Sequence, residues 1–377
     1  MDSRDILRIR LRSQLIKGSA ESTPRDVVSH LLAMQAQDYA GAMWAVGLRL
    51  PGSTLADVER AIAEGAIVRT WPMRGTLHFV AAEDVHWLLP LLAPRVIARA
   101  ATRERGLELD DATFGRARGL FEGALSGGRA LTRPDAMTLL ETDGIATTGQ
   151  RGYHILWRLA QEGLLVVGPM EGRQQTFRLL AEWVPAEKSA LPLSAPRQEL
   201  LAVLAMRFFR GHGPATVGDL ARWAGVTKRE AAAALAAVER SLESAEGEGE
   251  RYWFAPEAAA GGDGATGAGA ASAGAGGSAG VHLLPGFDEY LLGYGARGHQ
   301  MGDHLETYGT HVASNGMFAP TVVVGGRVVG VWKRTLSAKA VRFRVTEFER
   351  LSRDERSAIA AEQKRFALFV GREVAKD

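Results

Sequence analysis

The chain has 377 residues, 46% hydrophobic and 23% charged, with a formal net charge of +2 and no cysteine. This is the composition of an ordinary globular protein with room for two or three compact units, and the missing thiols exclude disulfides, thiolate zinc sites, iron–sulfur clusters and cysteine nucleophiles. No apolar run approaches the roughly 20 residues that cross a bilayer, and the first residues lack a signal-peptide core, so a cytoplasmic protein with no membrane partner is expected. The near-neutral balance leaves any attraction to nucleic acid to local patches, in which arginine far outnumbers the seven lysines.

In chain order, helical spacing predicts a helix over Ser3 to Lys17. A second opens at Thr23-Pro24 and carries Val27, Val28, Leu31 and Leu32, and a third spans Leu55 to Ala63 before a hairpin over Ile67 to Val80. From Leu131 the grammar is more regular. Thr132 caps a helix with Pro134 in its first turn, and Ala136, Leu139 and Leu140 fall on one face. After Asp143-Gly144 a second helix runs from about Arg151 to Gln161, and two strands, Leu164 to Val167 and Gln175 to Leu180, close around Met170-Glu171-Gly172-Arg173 as a wing. A further copy begins near Arg197 and continues through Thr216 and the turn Gly225-Val226. There Thr227 and Glu230 stand in capping-box spacing.

Residues 258–280 are almost wholly Gly, Ala and Ser and read as a flexible loop. Beyond them Val281 to Leu292 and Thr321 to Trp332 are strand-rich, with a Gly325-Gly326 hairpin turn, and Thr346 to Val374 is an amphipathic helical tail. The expected fold is α+β, mainly α, with tandem winged helix-turn-helix units and a C-terminal β-rich region. The corresponding partition is 1–125, 126–190 and 191–257 for three winged-helix units, 258–280 for the loop, and 281–377 for the β-rich region with its hairpin and terminal helix.

Winged helices point to DNA without saying what is done to it. The discriminating segments are Gln35-Ala36-Gln37 and Arg69-Thr70-Trp71-Pro72-Met73-Arg74-Gly75-Thr76-Leu77-His78. Together with Leu283 to Tyr290, Phe318 to Thr321 and Gly330 to Trp332, they resemble the AlkZ/YcaQ family of winged-helix DNA glycosylases over essentially the whole chain apart from the Gly/Ala-rich stretch. In that family the Gln-x-Gln form is similar to the AlkZ branch, which excises N7-alkylated guanine and unhooks interstrand cross-links, whereas the other branch carries Gln-x-Asp. The resemblance implies that Gln35 and Gln37 are the catalytic pair. It also implies a monomeric DNA repair enzyme, without cofactor, acting on double-stranded DNA that carries alkylated bases, and a role in self-resistance to a genotoxic natural product.

The residue chemistry agrees with such a pair. An N7-alkylated purine already carries positive charge, so its glycosidic bond breaks without protonation of the base. Two carboxamides can hold a water beneath the sugar and stabilise an oxocarbenium-like centre with their dipoles. Residues two apart on a helix point roughly 200° away from each other, so convergence requires a helix end or an extended segment at Gln35 to Asp38. For an arbitrary Gln-x-Gln the ordinary roles are helix capping and backbone hydrogen bonding. Asp38 is either a supporting carboxylate or a helix-end acceptor. No lysine stands near the motif for a Schiff base, so hydrolysis without strand cleavage is expected.

Trp71, Met73, Arg74, Thr76 and His78 are expected to alternate along a strand. Arg74 then contacts phosphate and His78 the reacting sugar, or else Trp71, Met73 and His78 are core. DNA contacts are assigned to Arg151, Arg158, Arg173 and Arg178 in the middle copy, and to Arg327 with Lys333 and Arg334 in the C-terminal hairpin. His299, His304 and His311 with Asp303 do not follow a common zinc spacing, so no metal is expected, and no P-loop or dinucleotide fingerprint occurs. A winged-helix transcription regulator without enzymatic activity and a small-molecule-sequestering scaffold remain the alternatives at this level.

Overall fold

The computed structural model describes residues 1–260, 280–312 and 317–375. Contacts divide it into two interleaved units, one of residues 1–31, 38–58 and 202–377, the other of residues 32–37 and 59–201. A six-residue piece carrying Gln35 and Gln37 leaves the unit of its flanking helices, because its backbone pairs into the sheet of the other.

That second unit is organised on a six-stranded sheet with the order β1-β3-β2-β5-β6-β4. Its strands are β1 (Ala33–Gln35), β2 (Ile67–Met73), β3 (Thr76–Ala81), β4 (Leu131–Thr132), β5 (Leu165–Glu171) and β6 (Gln174–Leu179). All seven residues of β2 are buried, which accounts for its nearly continuous run of Ile, Val, Thr, Trp and Met. The two hairpins β2–β3 and β5–β6 share an internal signature, Pro72-Met73-Arg74-Gly75 and Pro169-Met170-Glu171-Gly172. Each places its proline in a bulge. Register steps from Thr70↔His78 to Met73↔Thr76 in one and from Val167↔Phe177 to Met170↔Gln175 in the other, three residues against two. Proline has no N–H for the ladder, so the strand accommodates it where pairing is already interrupted.

Helices Ala82–Gly106, Asp111–Leu125, Arg133–Thr142 and Arg151–Gln161 belong to the same unit. Their apolar faces close a core around Trp71, Phe114, Phe121, Leu140, Leu156 and Phe177. Thr132 caps its helix by accepting from the Asp135 N–H.

The other unit contains residues 202–212 of the helix Arg197–His212 and the helices Val217–Ala224 and Lys228–Val238, followed by a two-stranded hairpin of β7 (Glu243–Gly247) and β8 (Glu250–Phe254). Capping boxes at Thr216/Asp219 and Thr227/Glu230 start the second and third of these helices. Its five-stranded sheet has the order β13-β12-β11-β10-β9. The strands are β9 (Val281–Leu284), β10 (Thr321–Val324), β11 (Arg327–Leu336), β12 (Ala340–Glu347) and β13 (Glu373–Val374). Trp44 and Trp332 donate their indole N–H groups to the Leu283 and Leu284 carbonyls, both at 2.8 Å, and Asp288 forms a buried two-pronged pair with Arg49.

Three expected boundaries move. The first helix ends at Ser13, and the C-terminal helix is Arg353–Phe369, because Thr346 and Glu347 still pair in β12 while Glu373 and Val374 add a strand of their own. Of the expected loop, residues 258–260 close the short helix Pro256–Ala260, and residues 261–279 lie outside the described residues. Among the described residues no helix is long and apolar enough to cross a membrane.

Candidate active site

The Gln-x-Gln segment starts in a strand that ends at Gln35, stays paired at Ala36 and bends at Gln37. Helix Pro24–Leu31 stops because Leu32 adopts a left-handed conformation at φ +66°, a costly choice for a leucine that is held by complete burial. The chain then enters β1 at the edge of the sheet. Ala33, Met34 and Gln35 stand opposite Val80, Phe79 and His78, and the Ala36 N–H continues the ladder to the Leu77 carbonyl at 2.7 Å.

Each position of the segment is held separately. The Gln37 side-chain oxygen accepts the Leu77 N–H at 3.3 Å, taking the place that a backbone carbonyl would hold had the strand continued. Between the glutamines, the Ala36 carbonyl accepts from both Nε and Nη2 of Arg69, at 3.1 and 2.8 Å. Arg69 is buried within β2, and its Nη1 reaches the Gln175 side-chain oxygen at 3.5 Å. A guanidinium on a main-chain carbonyl is a charge-assisted anchor, so Arg69 fixes the backbone that carries both carboxamides. Gln35 is half-buried and Gln37 exposed.

Register also brings Gln35, His78 and Thr70 into one row across β1, β3 and β2. Residues directly opposite in antiparallel pairs lie on the same face. The His78 ring is buried, with Nδ1 2.8 Å from the Thr76 carbonyl and Nε2 3.2 Å from Arg74 Nη2. A carbonyl only accepts and a guanidinium only donates, so these partners define a neutral imidazole that is protonated on Nδ1. His78 thus stands opposite Gln35 with both ring nitrogens in hydrogen-bond contact. The Thr70 and Thr76 hydroxyls are buried with no hydrogen-bond partner, leaving polar capacity beside the row.

The expectation of one alternating strand is corrected. Trp71 and Met73 lie on β2 and Thr76 and His78 on β3, while Arg74 and Gly75 form the two-residue turn, both at positive φ (+54° and +72°). Two positive φ values define a type I′ turn, in which arginine is unusual and glycine ordinary. The tip is covered, since Trp157 donates its indole N–H to the Gly75 carbonyl at 3.2 Å. Trp71 belongs to the core, and burial raises the pKa of the Tyr153 phenol.

Asp38 accepts the Gly41 N–H at 3.1 Å and caps helix Tyr39–Arg49. Gly41 leaves the space, because a Cβ there would meet the Asp38 carboxylate at 2.6 Å. The expected DNA-contacting arginines divide by environment. Arg151 donates to the carbonyls of Leu107, Glu108 and Ala146, and Arg158 is held by Glu162 at 2.6 Å and Glu104 at 3.0 Å. Both therefore turn into their own unit. Arg178 spans the Gly128 carbonyl and the Trp183 ring, whereas Arg173 is exposed at the tip of β5–β6.

The Gly325-Gly326 turn forms as expected, but Gly326 packs against Leu7, and Tyr290 donates to its carbonyl at 2.6 Å. Arg327 and Lys333 are exposed. Arg334 lies over Trp332 and Phe366, and its pKa is lowered by burial, which the Asp38 carboxylate opposes. His299, His304 and His311 have separate partners in Ser3 and Tyr252, in Glu349, and in Phe348. Among the described residues no group of three or more His, Cys, Asp or Glu could hold a metal ion.

Sequence reasoning overlooked Arg69 as part of the site. Its signal was present, because a lone charge inside Ile67-Val68-Arg69-Thr70-Trp71 demands a dedicated acceptor once the strand is buried. The edge strand β1 and the residues that follow it thus bring Gln35, Gln37, the buried Arg69 and His78 to one end of the sheet.

The sequence model of the family described as "DNA glycosylase AlkZ-like" matches residues 28–369. The chain belongs to that family, the AlkZ-like DNA glycosylases. A curated relative, the interstrand DNA cross-link repair glycosylase of Streptomyces sahachiroi, is 27% identical over 347 residues, covering 88% of this chain and 87% of that protein. The solved structure of the Streptomyces sahachiroi DNA glycosylase AlkZ superposes with a TM-score of 0.78 at 24% identity, covering 100% of this chain and 99% of the other, and shows a shared α+β fold.

Proposed function

We propose that this enzyme is a monofunctional glycosylase that hydrolyses the N-glycosidic bond of N7-alkylated purines in duplex DNA, bulky adducts and interstrand cross-links included, with Gln35 and Gln37 as its catalytic residues. The observation that carries the reading is the edge strand that ends at Gln35 and stays paired through Ala36, with Arg69 on the intervening carbonyl and the Gln37 oxygen fixed by the Leu77 N–H. A cationic purine leaves without acid assistance, so the enzyme has to place one water and stabilise charge growing on the sugar. Amide dipoles do both with no carboxylate to be repelled by the phosphates. Neutral His78 fits this scheme, since the leaving base needs no proton.

The cross-link activity named for the Streptomyces relative supports a substrate of that class and a role in repair or self-resistance. In this reading the three stretches 1–125, 126–190 and 191–257 are winged-helix units of a cytoplasmic monomer. Arg173, Arg327 and Lys333 lie on phosphates, with Arg74, His78 and Asp38 supporting the pair. The test is base release from DNA containing N7-methylguanine. Wild type liberates the base and leaves an intact abasic strand, and Gln35→Ala and Gln37→Ala each slow release by about a hundredfold, the scale of losing one preorganised dipole. Unchanged release in both variants overturns the assignment.

A further inference from the structure

The second unit contains a cavity of about 630 Å³ that shares no residue with the glutamine motif. Its walls are Leu89, Pro90, Pro94 and Ile97 of helix Ala82–Gly106, with Leu180 and the exposed Leu193. Volume and apolar lining are those of small-molecule sites, which add a few well-placed polar groups to fix orientation. Three polar side chains line this one. His86 is committed to the Val184 carbonyl at 2.6 Å, and Glu162 to Arg158 and Arg118 at 2.6 and 2.7 Å. Gln161 differs. It is 2% exposed, and neither its oxygen nor its nitrogen has a hydrogen-bond partner. A buried carboxamide with both ends unmet is costly, and an occupant that supplies the missing donor and acceptor removes that cost.

The helix wall contributes in the same sense. Pro90 and Pro94 lack the N–H groups that would close the regular helical bonds to the carbonyls of His86 and Pro90, two residues of the lining.

We propose that this cavity binds an uncharged, largely apolar small molecule presenting an amide edge, a primary carboxamide or a lactam, whose donor and acceptor pair with Gln161. The apolar walls take the body of the ligand, and an amide is the smallest group that satisfies both ends of a carboxamide at once.

The probe is isoquinolin-1-one, a bicyclic lactam, compared with naphthalene, which has the same ring frame without the amide. Both are titrated by their own fluorescence into the full chain. Wild type binds isoquinolin-1-one saturably, and Gln161→Leu weakens that binding at least tenfold while binding naphthalene as well as wild type does. Ala98→Trp, at an exposed position on the cavity lining, abolishes binding of both. Gln161→Leu also raises the thermal midpoint of the unliganded protein, because it removes the unmet amide, and this shows independently that the variant is folded. Absence of saturable binding to wild type overturns the proposal. So does equal lactam affinity in Gln161→Leu, binding that survives Ala98→Trp, or a lowered midpoint in unliganded Gln161→Leu.

Discussion

The hairpins β2–β3 and β5–β6 have the same Pro-Met-x-Gly signature and the same proline bulge, but their two-residue turns fall one position apart, at Arg74-Gly75 and at Gly172-Arg173, and they occupy opposite conditions. The first is buried along β2 and capped by Trp157 at its tip, with β1 paired along its outer edge. The second ends in solvent, and a Cβ on its turn residue Gly172 would meet nothing within 4 Å. At corresponding bulge positions one carries Trp71, 2% exposed, and the other Gly168, where a Cβ would lie 2.7 Å from the Thr176 hydroxyl. One backbone design thus stands in two environments, and burial separates them. In the proposed reading the covered hairpin holds the catalytic pair still and the projecting one reaches the DNA phosphates.

The comparison can be broken in four places. Trp71→Ala should cost about 3–5 kcal/mol, the scale of deleting a buried indole, measured by denaturant unfolding. A loss below about 1 kcal/mol would mean that the first hairpin is not the more deeply embedded. Arg69→Met should reduce base release at least tenfold and stability by about 1–3 kcal/mol, since it strips a charged anchor from the Ala36 carbonyl. Parallel assays of rate and unfolding separate the two effects, and unaltered release would remove Arg69 from the site. Gly168→Ala should destabilise by about 1–3 kcal/mol through overpacking against Thr176 and Arg178, with release preserved at protein concentrations that keep the variant folded. Arg173→Ala should change stability by less than about 0.5 kcal/mol and act only on DNA affinity, lowering the salt-dependence slope by about one phosphate contact. An unchanged slope would take the second tip off the DNA.

Much of this was legible in the sequence. Thr132, Thr216 and Thr227 announced helix starts through short-range capping chemistry, and Gly325-Gly326 announced a turn that only positive φ permits. The angular period of a helix required a helix end or an extended segment at Gln35 to Asp38, and no helix runs through it: a strand ends at Gln35 and the next helix starts at Tyr39. What could not be read depended on partners distant in the chain. Arg69 needs Ala36, thirty-three residues away, before its burial makes sense, and Arg158 needs Glu104. Periodicity also failed to separate Arg74 from the strand pattern around it, because alternation continues through a two-residue turn when both flanking strands obey it.

The brief passage of residues 32–37 into a sheet otherwise built from residues 59–201 has a practical consequence for dissecting this protein. A fragment excised as 59–201 would carry the helical core and five of the six strands. It would lack both carboxamides and expose the outer hydrogen-bonding groups of β3 as an open edge. Such an edge invites pairing between chains, so the fragment should self-associate. Reagents that need the unit in isolation must graft the missing strand back, by circular permutation or as an added peptide.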